Sequence, residues 1–195
     1  TPMAFTVTLS NPVASGVRVS VNSTNGTASA ADFTAISGGT VNFPANSTTP
    51  QTVNVTVNND ALDEDDERFA LTLSNPVATG TVTIETASAT GTILDNDALP
   101  TLSVANVSQL EGNASNLLTF RVHLNPVSGR SVSFTRATAA GTAVSTGPNA
   151  DFAALTAAPV TIMAGQTSLD IQVTINGDTV FEDNENFSLN LTAVD

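Results

Sequence analysis

The segment "DALDEDDERFALTL" at 60–73 returns as "DTVFEDNENFSLNL" at 178–191. Asp60 then lies over Asp178, Glu64 over Glu182, Glu67 over Glu185 and Phe69 over Phe187, each pair 118 residues apart (60 to 178, 69 to 187). Shorter matches flank it: "FTVTLSNP" with "FRVHLNP", "AADF" at 30–33 with "NADF" at 149–152, and "VNFPA" with "VTIMA". A chain of 195 residues that carries such copies is expected to build one fold unit twice, not to enlarge a single core. The expected domains are 1–98 and 99–195. "TLSVANVSQLEGN" precedes Phe120 with no counterpart before Phe5, and "ETASATGTILDND" closes the first copy with no counterpart after Asp195. The first domain is therefore expected to lack its opening strand, and the second its closing one.

Within each copy the hydrophobic period is two: Phe5, Val7 and Leu9; Val17, Val19 and Val21; Val53, Val55 and Val57; Phe187, Leu189 and Leu191. Residues spaced by two share one face of a strand, so this alternation describes strands with one buried and one solvated face. Gly, Pro, Asn and Ser gather between them, in "NPVASG", "PANSTTP" and "NPVATG", and no ten-residue stretch has helical spacing. The expected fold is all-β, one antiparallel sandwich per copy. In the usual sandwich letters the first copy runs B (4–9), C (17–22), D (40–43), E (52–58), F (68–74) and G (87–94). The second opens with A (101–107) and continues through F.

Successive connections of such a sandwich alternate between its two ends, so the AB, CD and EF loops share one end with the close of strand G. Asp32 and Asp151 fall in CD loops, Asp60 to Glu67 and Asp178 to Glu185 in EF loops, Glu111 in the AB turn, and Asp95 and Asp97 just past strand G. Carboxylates far apart in sequence are thereby expected to meet at one pole of each sandwich. Like charges about 4 Å apart repel by roughly 4 kcal/mol at an effective dielectric near 20. The chain holds 18 acidic residues against 5 basic ones, all Arg, a net charge of −13, so little of its own charge can offset that repulsion. A hard cation can: Ca²⁺ takes roughly six to eight oxygen ligands at about 2.3–2.6 Å, and Mg²⁺ fewer in a stricter octahedron. The plainer alternative is an acidic loop that keeps an edge soluble, the usual role of a charge run.

"ADF", then "NDALDEDDERFALTLSNP", then "ATGTILDND" resembles the Calx-beta domain, found in the calcium-sensing region of sodium–calcium exchangers, in the cytoplasmic part of an integrin subunit, and repeatedly in large bacterial surface and secreted proteins. The resemblance covers nearly the whole chain, twice. It implies immunoglobulin-like, Greek-key sandwiches whose AB, CD, EF and post-G segments hold Ca²⁺. By position, the implied ligands are Asp32, Asp60, Glu64, Glu67, Asp95 and Asp97 in the first copy, and Glu111, Asp151, Asp178, Glu182 and Glu185 in the second. Asn59, Asn96 and Gly177 stand where calcium-rich members carry Asp, which implies fewer ions per domain.

Other chemistry finds little support. The acidic surface repels nucleic acid and anionic membranes, and no apolar run reaches the roughly 18–20 residues that span a bilayer, so neither nucleic acid binding nor membrane insertion is expected. Cys is absent, which excludes thiolate sites; Trp and Tyr are absent, which leaves no indole or phenol ring to stack a sugar or a base. His123 is a lone histidine in a strand with no nucleophile motif around it, and no twelve-residue EF-hand loop fits the acids, so an enzyme is not expected. Phe33 and Phe152, directly after the CD aspartates, are expected to anchor those loops in the core. Arg130 is expected to pair with an acid, while Asp63, whose counterpart is Phe181, is expected to be a bystander to cation binding. The whole reads as a piece of a longer calcium-binding array, extracellular or on a bacterial cell surface and adhesin-like. Its expected partners are calcium ions, neighbouring repeats of the same polypeptide and a cell-surface protein. The alternatives are an intracellular calcium sensor that regulates a partner through its interdomain angle, and an accessory domain of an extracellular enzyme.

Overall fold

The computed structural model describes residues 1–193; Val194 and Asp195, the end of the expected second domain, lie outside the described residues. Two compact units result, one of Thr1–Ala61 with Asp65–Asn96, the other of Leu62–Glu64 with the chain from Asp97 onward.

In the first unit Val17, Val19 and Val21 are buried while Arg18 between them is exposed, which makes β2 (Val17–Asn25) a strand with one wet and one dry face. It is flanked by β3 (Gly39–Phe43) and β5 (Glu67–Val77), and β5 by β6 (Ser88–Ile93), all antiparallel, giving the order β3–β2–β5–β6. A second sheet pairs β1 (Pro2–Val7) with β4 (Gln51–Thr56), Phe5 opposite Val53. Val41, Phe43, Val53, Val55, Phe69 and Leu71 join the β2 valines in one core. Each fully buried side chain of this kind contributes about 1.5–3 kcal/mol. One strand is longer than expected: β5 continues past Ser74 to Val77. The register against β2 shifts there, and Asn75 takes a positive φ of 47°. The irregularity accommodates Pro76, which has no N–H to give a regular ladder.

The second unit repeats the plan. β8 (Asn116–Asn125) lies between β7 (Thr101–Val104) and β11 (Ser168–Ile175), and β9 (Val132–Ala140) between β10 (Ala158–Ile162) and β12 (Phe187–Ala193), antiparallel throughout. Leu118, Phe120, Val122, Leu124, Phe134, Ile162, Ile171 and Val173 fill the space between. The strands β1 to β6 stand for B to G, and β7 to β12 for A to F, so the chain is a tandem of immunoglobulin-like sandwiches. Among the described residues, no helix is long and apolar enough to cross a membrane.

Candidate metal centres

Each candidate cluster starts from an aromatic pair in the core. Phe33 stacks on Phe69, ring centroids 4.3 Å apart and planes 16° apart; Phe152 stacks on Phe187 at 4.2 Å and 13°. Both loop phenylalanines are 1% exposed, as anchors should be. Phe33 also forms a β-bridge to Val57, and Phe152 to Ile175, so the loop after β2 or β9 is stitched to the start of the acidic loop. The stitching continues at the aspartates. Asn58 N–H donates to the Asp32 carbonyl at 2.9 Å, and Asn176 N–H to that of Asp151 at 2.8 Å. The side-chain amides of the same two asparagines donate to Ala31 and Ala150.

The far end of each acidic loop is held by a tripeptide that the sequence reading passed over, Gly26-Thr27-Ala28 and Gly141-Thr142-Ala143. The Thr hydroxyl accepts from the backbone N–H of Arg68 or Asn186 at 2.9 Å, and the Ala N–H donates to the carbonyl of the same residue at 3.0 Å. The glycines are there for room. A Cβ on Gly26 would stand 2.4 Å from the Arg68 carbonyl oxygen, and one on Gly141 2.5 Å from that of Asn186. The signal that could have found this clamp is its own recurrence, one Gly-Thr-Ala per copy.

The frame brings carboxylates together. Asp32, Asp60 and Glu64 offer one oxygen each within 4.8 Å of one another, and so do Asp151, Glu182 and Glu185. Two oxygens on opposite sides of an ion at about 2.4 Å are about 4.8 Å apart, so each triplet fits within one Ca²⁺ shell, the remaining places falling to backbone carbonyls or water. Burial raises the Asp32 carboxyl, but the Ser29 N–H, 2.6 Å from Oδ2, the Ser29 hydroxyl and a hydrogen bond shared with Glu67 together hold it below the usual value. In the second unit the balance is opposite. Desolvation raises Glu182, and the charges of Asp178, Asp151 and Glu111 raise it further. Glu185 is raised by desolvation, by a hydrogen bond with Asp151, and by the charges of Asp151, Glu182 and Glu111. The charges of Glu111 and Asp178 thus reach the second triplet although neither residue is a member of it.

The family model of the Calx-beta domain matches residues 1–97 and again 103–195. The chain belongs to the Calx-beta family. Among solved structures, CBD12 from CALX1.2 is similar over 89% of this chain and 69% of its own, at 20% identity and a TM-score of 0.45. The calcium binding domain CBD12 of CALX1.1 is similar over 88% and 67%, at 19% identity and the same TM-score of 0.45. No curated protein matches the chain significantly.

Within these Calx-beta repeats the other candidates take distinct places. Glu67 is tied to Asp32 by the hydrogen bond above. Asp178 Oδ1 accepts from the Val180 N–H at 2.6 Å, which folds the loop back on itself. Glu111 gives its carbonyl to the Asn116 amide, which also receives Gln109, so the loop after β7 is tied to the start of β8. Gly177 explains its own identity: a Cβ there would lie 2.6 Å and 2.7 Å from the carbonyl oxygens of Ala114 and Gly112, so Asp has no room. Asp95 and Asp97 are outside both triplets among the described residues; the Asp95 N–H donates to Asp66 Oδ1 at 3.1 Å.

Asp63 has a different use. It is 2% exposed, and its carboxylate accepts from Arg130 Nη2 at 2.7 and 2.9 Å, from Arg130 Nε at 3.3 Å and from Ser128 Oγ at 3.0 Å. The Arg130 partnership expected from the sequence is therefore a forked one to a buried aspartate within the second unit.

Proposed function

We propose that this pair of Calx-beta repeats binds Ca²⁺ as part of a larger extracellular or bacterial cell-surface, adhesin-like protein, and that the ions stiffen the segment joining the repeats. The observation that carries the reading is the recurrence of a compact carboxylate triplet on the same frame: Asp32 and Glu64 in one repeat, Asp151 and Glu182 in the other, with Asp60 or Glu185 as third member. A charge run kept only for solubility has no need to recur at matched positions on aromatic anchors. Asp95 and Asp97 extend the first set in this proposal, Glu111 and Asp178 the second, and Glu67 supports Asp32. The resulting module serves as a spacer that presents a cell-surface protein ligand. It has no catalytic role.

Isothermal titration of the chain with Ca²⁺, beside thermal melting with and without chelator, tests the reading. An array spacer is expected to bind in the range of about 10⁻⁴–10⁻³ M that extracellular modules show, whereas a sensor would titrate at about 10⁻⁷–10⁻⁵ M. A ligand bound only by the native state adds about 2.7 kcal/mol at one hundred times its dissociation constant, so about 10 mM Ca²⁺ on a site of about 10⁻⁴ M shifts the melting midpoint upward by several degrees. No heat and no shift at millimolar Ca²⁺ would overturn the metal reading and leave the acids as a solubilising edge.

A further inference from the structure

The two acidic-loop tips carry opposite chemistry at the same position, and so do the two turns able to receive them. In the second unit the tip Leu62–Glu64 is seated on the turn Ser128–Arg130 through the Asp63 bonds described above, and the Gly129 N–H adds a bond to the Asp63 carbonyl at 3.1 Å. Ser128 is 1% exposed beneath it. The tip 118 residues on reads Val180-Phe181-Glu182, and there Phe181 is 94% and Val180 59% exposed. An exposed Phe beside an exposed Val is apolar surface in want of cover.

The matching turn of the first unit is found by its hydrogen bonds. The Val13 carbonyl accepts from the Asn46 N–H at 2.9 Å as the Ser128 carbonyl accepts from the Gly165 N–H at 2.9 Å, and both donors have positive φ. Val13 therefore stands for Ser128, Ala14 for Gly129 and Ser15 for Arg130. The receiving cation is gone. Val13 takes the place of Ser128 and the short Ser15, whose Oγ is bonded by the Thr79 N–H at 2.9 Å, that of Arg130, with exposed Pro12 and Ala14 beside them and Pro44 and Ala45 packed alongside at Gly16. A Cβ on Gly129 would stand 2.6–2.7 Å from the Glu64 side chain, and Ala14 carries that Cβ at the matching position of the first unit. An ionic tip thus has an ionic seat, and an apolar tip an apolar one.

We propose that copies of this chain associate through the Val180–Phe181 tip of one copy seated on the Val13–Ser15 turn of another. The surfaces are different patches, so the contact is heterologous and does not close on itself. Small size makes it weak. The other turn, Ser128–Arg130, is already taken by Asp63 of its own chain.

Sedimentation equilibrium of the full chain, run in chelator so that the outcome is independent of Ca²⁺ binding, tests the proposal. The average mass is expected to grow with concentration up to about 1 mM and to keep growing past the dimer. Phe181→Asp should weaken this association at least tenfold while leaving the melting midpoint unchanged, since the ring is outside the core. Mixing that variant with Ser15→Arg should restore association, because the intact tip of the second meets the intact turn of the first and the two substituted positions recreate the Asp63–Arg130 contact between copies. The proposal is overturned if the chain stays monomeric throughout, if Phe181→Asp associates as the wild type does, or if the mixture stays apart with both variants folded by circular dichroism.

Discussion

Asp60 and Asp63 lie three residues apart in one acidic loop, and their replacement by Ala is expected to separate two properties. Asp60→Ala and Glu64→Ala remove members of a triplet and should weaken Ca²⁺ binding at least tenfold, as a shift in the calorimetric midpoint. Asp63→Ala should leave that affinity nearly unchanged but lower the stability of the second unit by about 1–3 kcal/mol, the typical cost of stranding buried hydrogen-bond partners, read in urea melts. Equal loss of affinity from all three would show a diffuse charge, not a site. The expectation that Asp63 is a bystander toward the cation rests on Phe181, which replaces it in the second copy. The burial of Asp63 was not legible in the sequence, because the groups that bury it, Ser128 and Arg130, lie 65 and 67 residues away. The pH dependence without Ca²⁺ follows from Glu182 and Glu185. Their raised values mean that the native state keeps these protons to a higher pH than the unfolded chain, so stability is present below the ordinary value of 4.5 and lost as pH rises through the native values. Asp32, and Asp170 through its hydrogen bonds to Arg121, are lowered, so their contribution is present above 3.8 and lost as pH falls further. In chelator the melting midpoint should rise as pH drops from neutral toward 4.5, then fall on stronger acidification; saturating Ca²⁺ should remove the first rise.

At the level of strands and loops, the Gly-Thr-Ala clamp is expected to carry stability through the room its glycine leaves. Gly26→Ala forces a methyl against a backbone carbonyl that flexible side chains cannot move aside, and should destabilise the first unit by about 1–3 kcal/mol in urea melts. A control at Gly38, where an added Cβ meets nothing within 4 Å but φ is +69°, should show only the smaller cost of the backbone conformation. Equal costs would mean that room is not what the clamp requires. Strands were the most legible part of the fold: period two located β1 to β7 to within a few residues, and the repeat called for β8 to β12 as the counterparts of B to F. The error at β5 arose because Asn75-Pro76 reads as a stop, and only the partner strand reveals that pairing resumes beyond the bulge. The poles were legible too, since antiparallel order alone sorts loops to ends. The choice of third triplet member, Asp60 in one repeat and Glu185 in the other, was not; it depends on side-chain reach across loops, which no alignment of the copies can supply.

For the molecule as a whole, the proposed stiffening has a direct readout. Small-angle scattering should give a narrower distribution of interdomain distances with Ca²⁺ than with chelator, and Asp95→Ala with Asp97→Ala should abolish the difference; identical profiles would remove Ca²⁺ from that role. The stacked pairs Phe33–Phe69 and Phe152–Phe187 bear on a further property, how fast an ion comes and goes. Because each loop aspartate is fixed to a core ring and a backbone ladder by contacts that involve no ion, capture is expected to have little chain ordering left to perform. Arrival is then limited by diffusion and the steering of the acidic surface, and is nearly the same for every variant that keeps the rings. Lifetimes are then expected to carry the differences: a lost carboxylate should speed departure and a lost ring should slow arrival, so that each repeat would keep time with its aromatic pair and hold on with its acids.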